Sequence, residues 1–349
     1  MSLRQRIDDG LSGKFEGLDN GFKKINNYIF GVQRKCITLI GGQSGCFKTT
    51  MLDFIVQKAV LDAEAKGIKI NVFYNSFEID KLTKMCNWLS VQIFIKHNVI
   101  VPPEVIKGLG NNRLTRDQQI LVDLEIPFIE DMFSKINFRF KSENPTGLYN
   151  DLWKFFEKRG LFIYEDYVDN TGINKKKIVS YKLNDPDEYN LMVTDHLYLL
   201  KHERGFDVKR NIDKFSEYQV DLKNMFGISF INLQQFNQGM SSTDRAKFKG
   251  VDLSPAQGDF RDSTNPYADS DVCIGLMCPN KLDMDKSMGY DVKRIKDRLI
   301  MFKIIKNRLG GDNIVTGLLV NPKTGSFKEM PASNLMQEQD YKDIETGKR

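Results

Sequence analysis

The stretch "CITLIGGQSGCFKTT" (36–50) constrains this chain more than any other. Its first five residues form a short, uncharged, mostly apolar run, as in a strand buried on both faces within a parallel sheet. The run ends at Gly41-Gly42, and a helical pattern follows over 48–66, with Met51, Ile55 and Ala59 on one face. A buried strand that turns through glycines into a helix aims successive backbone N–H groups at one point, which makes an anion site. Gly42 to Thr49 match G-x-x-x-x-G-K-[ST] at the first glycine, the lysine and the threonine, whereas Phe47 stands where the second glycine belongs. The expected phosphate cradle is Gly42, Gln43, Ser44, Gly45, Cys46, Phe47, Lys48, Thr49 and Thr50. Lys48 would reach the β- and γ-phosphates of ATP and Thr49 would ligate Mg²⁺. If position 47 needs a positive φ, a phenylalanine there costs on the order of 1–3 kcal/mol. The segment is read as a modified but working cradle.

Beyond the cradle, strands and helices alternate. Strands are predicted at 70–77, 136–140, 189–195, 228–233, 272–277, 299–306 and 314–320, with a last short one after the turn "NPKTG". Helices are predicted at 115–133 and 147–158. Two more carry Leu82, Met85, Cys86, Leu89 and Ile93, and Ile212, Phe215, Leu222 and Met225. The segment 161–183 reads as a charged hairpin with Asn170, Gly172 and Lys175 to Lys177 near its tip. This order predicts an α/β fold, a mainly parallel sheet flanked by helices with antiparallel strands added towards the C-terminal end. Residues 1–16 are expected to be an arm, 17–330 the folded domain with 161–183 as an insertion, and 331–349 a polar tail, frayed from Gln337 to Arg349.

Composition mainly excludes. With 41% hydrophobic and 28% charged residues the chain suits a soluble globular protein, and no apolar run approaches membrane-spanning length. The first twenty residues lack the apolar core of a secretory signal, so a cytoplasmic location is expected. The five cysteines are scattered and odd in number, and the three histidines show no metal-ligand spacing, which argues against zinc or imidazole-held metals. A net charge of +5 neither requires nor excludes nucleic acid.

Hydrolysis needs more than a cradle: a metal carboxylate, a carboxylate to activate water, a γ-phosphate sensor and a cation for developing charge. Asp195 ends the apolar strand "LMVTD" and Glu78 follows the strand "YNSF"; strand ends of a parallel sheet converge beside the nucleotide. Taken singly, Asp195 reads equally well as a cap for the next segment and Glu78 as a solvent-facing acid. Lys306 and Arg308 lie two apart at a strand end and share a face, which suits either phosphate binding or protection of a sheet edge.

Six segments in order make the chain resemble the RecA-like motor domain of DnaB-type replicative helicases, over about 17–330. They are "GGQSGCFKTT", "FYNSFEID", "VTDHLYLL", "INLQQFNQG", "GDFRDSTNPYADSDV" and "IIKNRLGG". The resemblance implies a RecA-like P-loop NTPase core, with Glu78 as the water-activating base, Asp195 at the metal and Gln235 as the γ-phosphate sensor. It implies that Lys306 and Arg308 reach into a neighbouring copy's ATP site, in a ring that is a hexamer. It places single-stranded DNA against the "FRDST" segment, through Arg261 and backbone N–H groups of Asp262 to Thr264, near a polar loop carrying Arg245, Lys247 and Lys249. Phe47 and the extra length between Glu78 and Asp195 depart from the family. Only about sixteen residues precede the motor region, so the helical domain that contacts primase in bacterial members is not expected here; a primase or helicase loader remains a possible partner. A compact motor of this kind suits a phage-encoded or other mobile-element helicase. The reading from sequence is therefore an ATP-driven DNA helicase. Its rivals are a recombinase or clock-type ATPase on the same core, and a non-hydrolysing structural ring.

Overall fold

A computed structural model of the chain describes residues 3–13, 15–237, 253–260 and 264–346. Its helices are α1 (Leu3–Leu11), α2 (Lys23–Ile29), α3 (Lys48–Ala65), α4 (Lys81–His97), α5 (Pro103–Ile106), α6 (Arg116–Ser134), α7 (Pro145–Glu157) and α8 (Val208–Phe226), followed by others named by range. Its strands are β1 (Ile37–Gly42), β2 (Ile70–Ser76), β3 (Ile136–Arg139), β4 (Gly160–Val168), β5 (Asn174–Leu183), β6 (Tyr189–Asp195) and β7 (Ser229–Gln235). After them come β8 (Val272–Met277), β9 (Lys286–Ser287), β10 (Tyr290–Asp291), β11 (Leu299–Asn307), β12 (Ile314–Val320) and β13 (Phe327–Glu329).

The apolar run at 36–40 forms β1, the middle of a nine-stranded sheet in the order β13-β12-β11-β8-β1-β7-β6-β2-β3. The strands from β8 through β3 pair in parallel, and β11, β12 and β13 add an antiparallel wing. The fold is thus the predicted one: α/β, mainly parallel, extended by antiparallel strands.

Side chains alternate across β1 and so feed two cores. Ile40 joins a cluster with α2, α3, α4 and α6, while Ile37 and Leu39 join one with α7 and α8. The α3–α4 layer also buries charge. Lys84 of α4 is wholly inaccessible and its Nζ donates to Asp53 Oδ1 of α3 at 2.8 Å. Tyr74 of β2 donates to the same oxygen at 2.6 Å, and Lys84 lies 4.4 Å from the Tyr74 ring centroid.

The 161–183 hairpin forms as a separate two-stranded ribbon of β4 and β5, rooted on α7 and α8 by Phe162 and Tyr181, which pack against Trp153 and Phe226. The tail departs from expectation. Instead of fraying, it carries a helix, Glu338–Glu345, held by buried Ile344 and by Arg294, which pairs with both Glu338 and Glu345. Local polarity suggested disorder, and a distant arginine supplied the anchor. Residues 3–11 likewise form a helix.

Removing one partner of a buried ion pair leaves the other charge uncompensated. Lys84→Ala should therefore lose about 3–5 kcal/mol in chemical denaturation, whereas the paired replacement Asp53→Leu with Lys84→Met should cost far less.

Candidate functional site

Parallel register decides which residues meet. Gly42, the last residue of β1, is level with Gln235, the last of β7, and Asp195, the last of β6, is level with Ser76, the last of β2. All four strand ends open at one edge of the sheet. There Ser44, Gly45 and Phe47 of the loop, with Lys48, Glu78 and Gln235, border a cleft of about 540 Å³.

Two residues of the loop lie in the left-handed region: Gly45 at φ 71° and Phe47 at φ 57°. Phe47 therefore does carry the strain expected of a side chain where glycine fits, about 1–3 kcal/mol. Its half-buried ring packs against the α3–α4 core, which offsets part of that cost, and its carbonyl accepts from Met51 N at 2.9 Å to start α3. Gly42 is needed for space, since a Cβ there would stand 3.0 Å from Leu276 O and 3.3 Å from Lys48 Cδ. Lys48 is nearly buried, and its Nζ donates to Gln43 O at 2.7 Å. Burial pulls its pKa down, while the Cys46 thiol and the Asp195 and Glu78 carboxyls push it back.

Thr49 Oγ1 donates to Asp195 Oδ1 at 3.1 Å, across the 146 residues that separate them in sequence. Asp195 is fully buried, and its other oxygen, Oδ2, has no hydrogen-bond partner. Burial raises the Asp195 pKa to about 7; Lys84 and the Thr49 hydrogen bond lower it, and Asp53 and Glu78 raise it. Asp195 is no cap: the turn that follows, Leu197–Leu199, has no side-chain cap. Mg²⁺ keeps several waters and takes one or two protein ligands plus phosphate oxygens. An orphaned carboxylate oxygen beside a threonine hydroxyl fits that demand. Among the described residues no cluster of three or more His, Cys, Asp or Glu could hold a metal unaided.

Glu78 is exposed in the turn between β2 and α4. That turn is fixed by Ser76 Oγ donating to Ile79 O at 3.0 Å and by Asp80, whose carboxylate accepts from Thr83 N at 3.1 Å and caps α4.

Lys306 and Arg308 lie at the opposite edge. Asn307 is level with Val272, which is level with Thr38 near the start of β1, so neither cation faces its own chain's cleft. Lys306 donates to Tyr267 O and Ala268 O, both at 2.8 Å, and Arg308 donates to Ala268 O at 3.0 Å. Arg308 also pairs with Asp271 at 3.4 Å while its side chain stays 52% exposed. Because β11 runs between β8 and β12, these cations do not guard a sheet edge.

Of the expected DNA contacts, Arg261 and Asp262 lie outside the described residues, as do Arg245, Lys247 and Lys249. Thr264 is exposed and opens the short helix Asn265–Asp269, with its carbonyl accepting from Ala268 N at 3.0 Å. One residue that motif reasoning passed over is Lys281, in the turn Pro279–Leu282 after β8. Its Nζ donates to Gly45 O of the phosphate loop at 3.0 Å, 236 residues away in sequence. The only hint in the sequence was its place just beyond a strand that ends at the cleft edge.

No family model matches the chain, and no curated protein does. Solved structures do. One solved ATPase domain aligns with a TM-score of 0.67 at 14% identity, over 95% of this chain and 99% of that one. A DnaB-like replicative helicase, studied together with its interactions with primase, aligns with a TM-score of 0.67 at 15% identity, over 95% of this chain and 68% of its own. At such low identity the likeness is one of fold: this chain has the RecA-like fold of the ATPase domains of DnaB-like replicative helicases.

Proposed function

We propose that this protein is an ATP-hydrolysing DNA helicase motor, built from copies that share ATP sites in a ring and move along single-stranded DNA. The observation that carries the reading is the split between the two sheet edges. Lys48, Thr49, Asp195, Glu78 and Gln235 gather at one edge, and Lys306 with Arg308 at the other. Copies stacked head to tail bring one chain's cation edge to the next chain's cleft, a heterologous contact that closes into a ring; we take a hexamer as the expected size.

In this scheme the backbone N–H groups of the loop and the start of α3 hold the phosphates of ATP, and Lys48 exchanges the Gln43 carbonyl for a phosphate oxygen. Thr49 Oγ1 and Asp195 Oδ2 would hold Mg²⁺, which supplies charge neutralisation for the phosphates. Glu78, exposed at the cleft mouth, takes the proton of the attacking water. Gln235, joined to β1 through its register with Gly42, would report whether the γ-phosphate is present. The half-exposed guanidinium of Arg308 would exchange Asp271 and the Ala268 carbonyl for a neighbour's phosphate and stabilise the charge that develops there. Arg261, Asp262 and Thr264 remain the proposed single-strand contacts, and a primase or loader a proposed partner. Among the described residues no helix is long and apolar enough to cross a membrane.

The direct test is ATPase activity with and without single-stranded DNA. Wild-type protein should be stimulated by DNA and Lys48→Ala should lose about 100-fold or more; a flat response to DNA would discard the motor reading. Glu78→Gln should lower kcat by about 100- to 10,000-fold while nucleotide binding persists. Arg308→Ala and Lys48→Ala should each be inactive alone, yet mixing them should restore ATPase, because one seam in the mixture pairs an intact cleft with an intact arginine. No recovery in any mixing ratio would mean that Arg308 does not act in trans.

The Asp195 carboxyl titrates at about 7 when folded, against 3.8 for the free side chain. The native state then holds the extra proton between those values, so stability without Mg²⁺ should fall as pH rises through that window. Asp195→Asn should remove that slope and gain on the order of 1–3 kcal/mol at pH 8 and less at pH 5, read by urea denaturation in a chelator.

A further inference from the structure

We propose that Lys281 is a positioning residue that holds the phosphate loop in its strained, nucleotide-accepting shape; the inference rests on the ATP-binding reading above. The geometry centres on one peptide group, the link between Gly45 and Cys46. Its carbonyl oxygen accepts from Lys281 Nζ at 3.0 Å. Its N–H, on the far side of the same planar unit, donates to Gln43 O at 3.3 Å. Gln43 O also accepts from Lys48 Nζ at 2.7 Å. One ammonium from β8's turn and one from α3 are thus joined through a single peptide and a single carbonyl, and hydrogen bonds in such a chain reinforce one another.

This contact fixes the loop from outside. Lys281 does not border the cleft, and it binds a carbonyl, whereas a phosphate cradle works through N–H groups. The ammonium sits so close over Gly45 that a Cβ at that position would collide with it. Its own turn is tied down: Asn280 Nδ2 donates to Asp297 Oδ1 at 2.7 Å, Pro279 opens the turn, and Asp283 closes it in the left-handed region at φ 52°. A hydrogen-bonded turn that holds an exposed ammonium against a loop carbonyl is suited to holding that peptide in place.

The loop needs a clamp because of Phe47. With glycine at that position, φ 57° would be free of strain; with phenylalanine, the loop gains by relaxing towards negative φ, and relaxation reorients the N–H groups that should face the phosphates. Pinning the 45–46 peptide, two residues upstream, resists that relaxation. Lys281 and Phe47 are therefore coupled: the ammonium matters because the phenylalanine is there.

A double-mutant cycle tests the coupling on the full chain. The dissociation constant of a fluorescent ATP analogue with Mg²⁺ would be measured by titration for wild type, K281M, K281R, F47G and F47G/K281M, alongside KM and kcat for ATP. K281M should weaken binding about 10-fold with a matching rise in KM and little change in kcat, and K281R should recover most of the loss. In the F47G background the same lysine change should cost less than about 2-fold. Binding by K281M equal to wild type would overturn the proposal. So would an equal loss in both backgrounds, which would make Lys281 a direct charge on the nucleotide. Wild-type protein that binds no nucleotide would overturn the ATP-binding reading and this inference together; failure confined to the K281M comparisons leaves that reading standing.

Discussion

Parallel pairing between β6 and β2 and between β1 and β7 is the constraint on which the rest depends. In an antiparallel arrangement the ends of neighbouring strands alternate between the two edges of a sheet. Here Gly42, Ser76, Asp195 and Gln235 all finish at the same edge, and the turns that follow carry the loop lysine and the exposed glutamate there as well. The antiparallel return of β11 against β8 sends its own end, with Lys306 and Arg308, to the other edge. Sheet direction alone therefore divides the polar residues into a cleft and a distant pair of cations, and that division is the physical basis for proposing a site completed by a second copy.

Beneath the cleft, ionisable groups of both signs lie in a medium that screens poorly. Lys48, Lys84, Asp53 and Asp195 are all buried, two cations against two carboxylates. Lys84 and Asp53 satisfy each other and tie α3 to α4, with Tyr74 as a third partner. Lys48 and Asp195 are less complete: one rests on a loop carbonyl and the other leaves an oxygen unpaired. The satisfied pair ties two helices together, whereas the unsatisfied groups are the ones on which the proposed nucleotide and metal site rests.

Legibility from sequence followed the range of the interactions involved. Strand β1, the glycine turn and α3 are local, set by a short apolar run and by residue types over fifteen positions, and they were readable. Glu78 and Asp195 were readable as strand-end acids, and their convergence followed from the predicted parallel sheet, though the level register of Asp195 with Ser76 and its hydrogen bond to Thr49 could not be read. The tail was misjudged because Glu338–Glu345 looks like any polar terminus until Arg294 is seen between its two glutamates. The partners of Lys281 and of the Lys84–Asp53 pair left no local signature, since each depends on contacts between segments far apart in the chain.

What the sequence determined by itself was local: a buried strand, a glycine turn and a helix opened by a lysine and a threonine, the arrangement on which the proposed phosphate site rests, because backbone geometry there is fixed by nearest neighbours. What only the tertiary structure decided was the backbone state of Phe47, the burial that raises the Asp195 pKa, the hydrogen bond from Lys281 to Gly45 O and the edge occupied by Arg308. Each of these depends on packing, burial or strand direction, quantities that arise between distant parts of a chain and are absent from any short stretch of it.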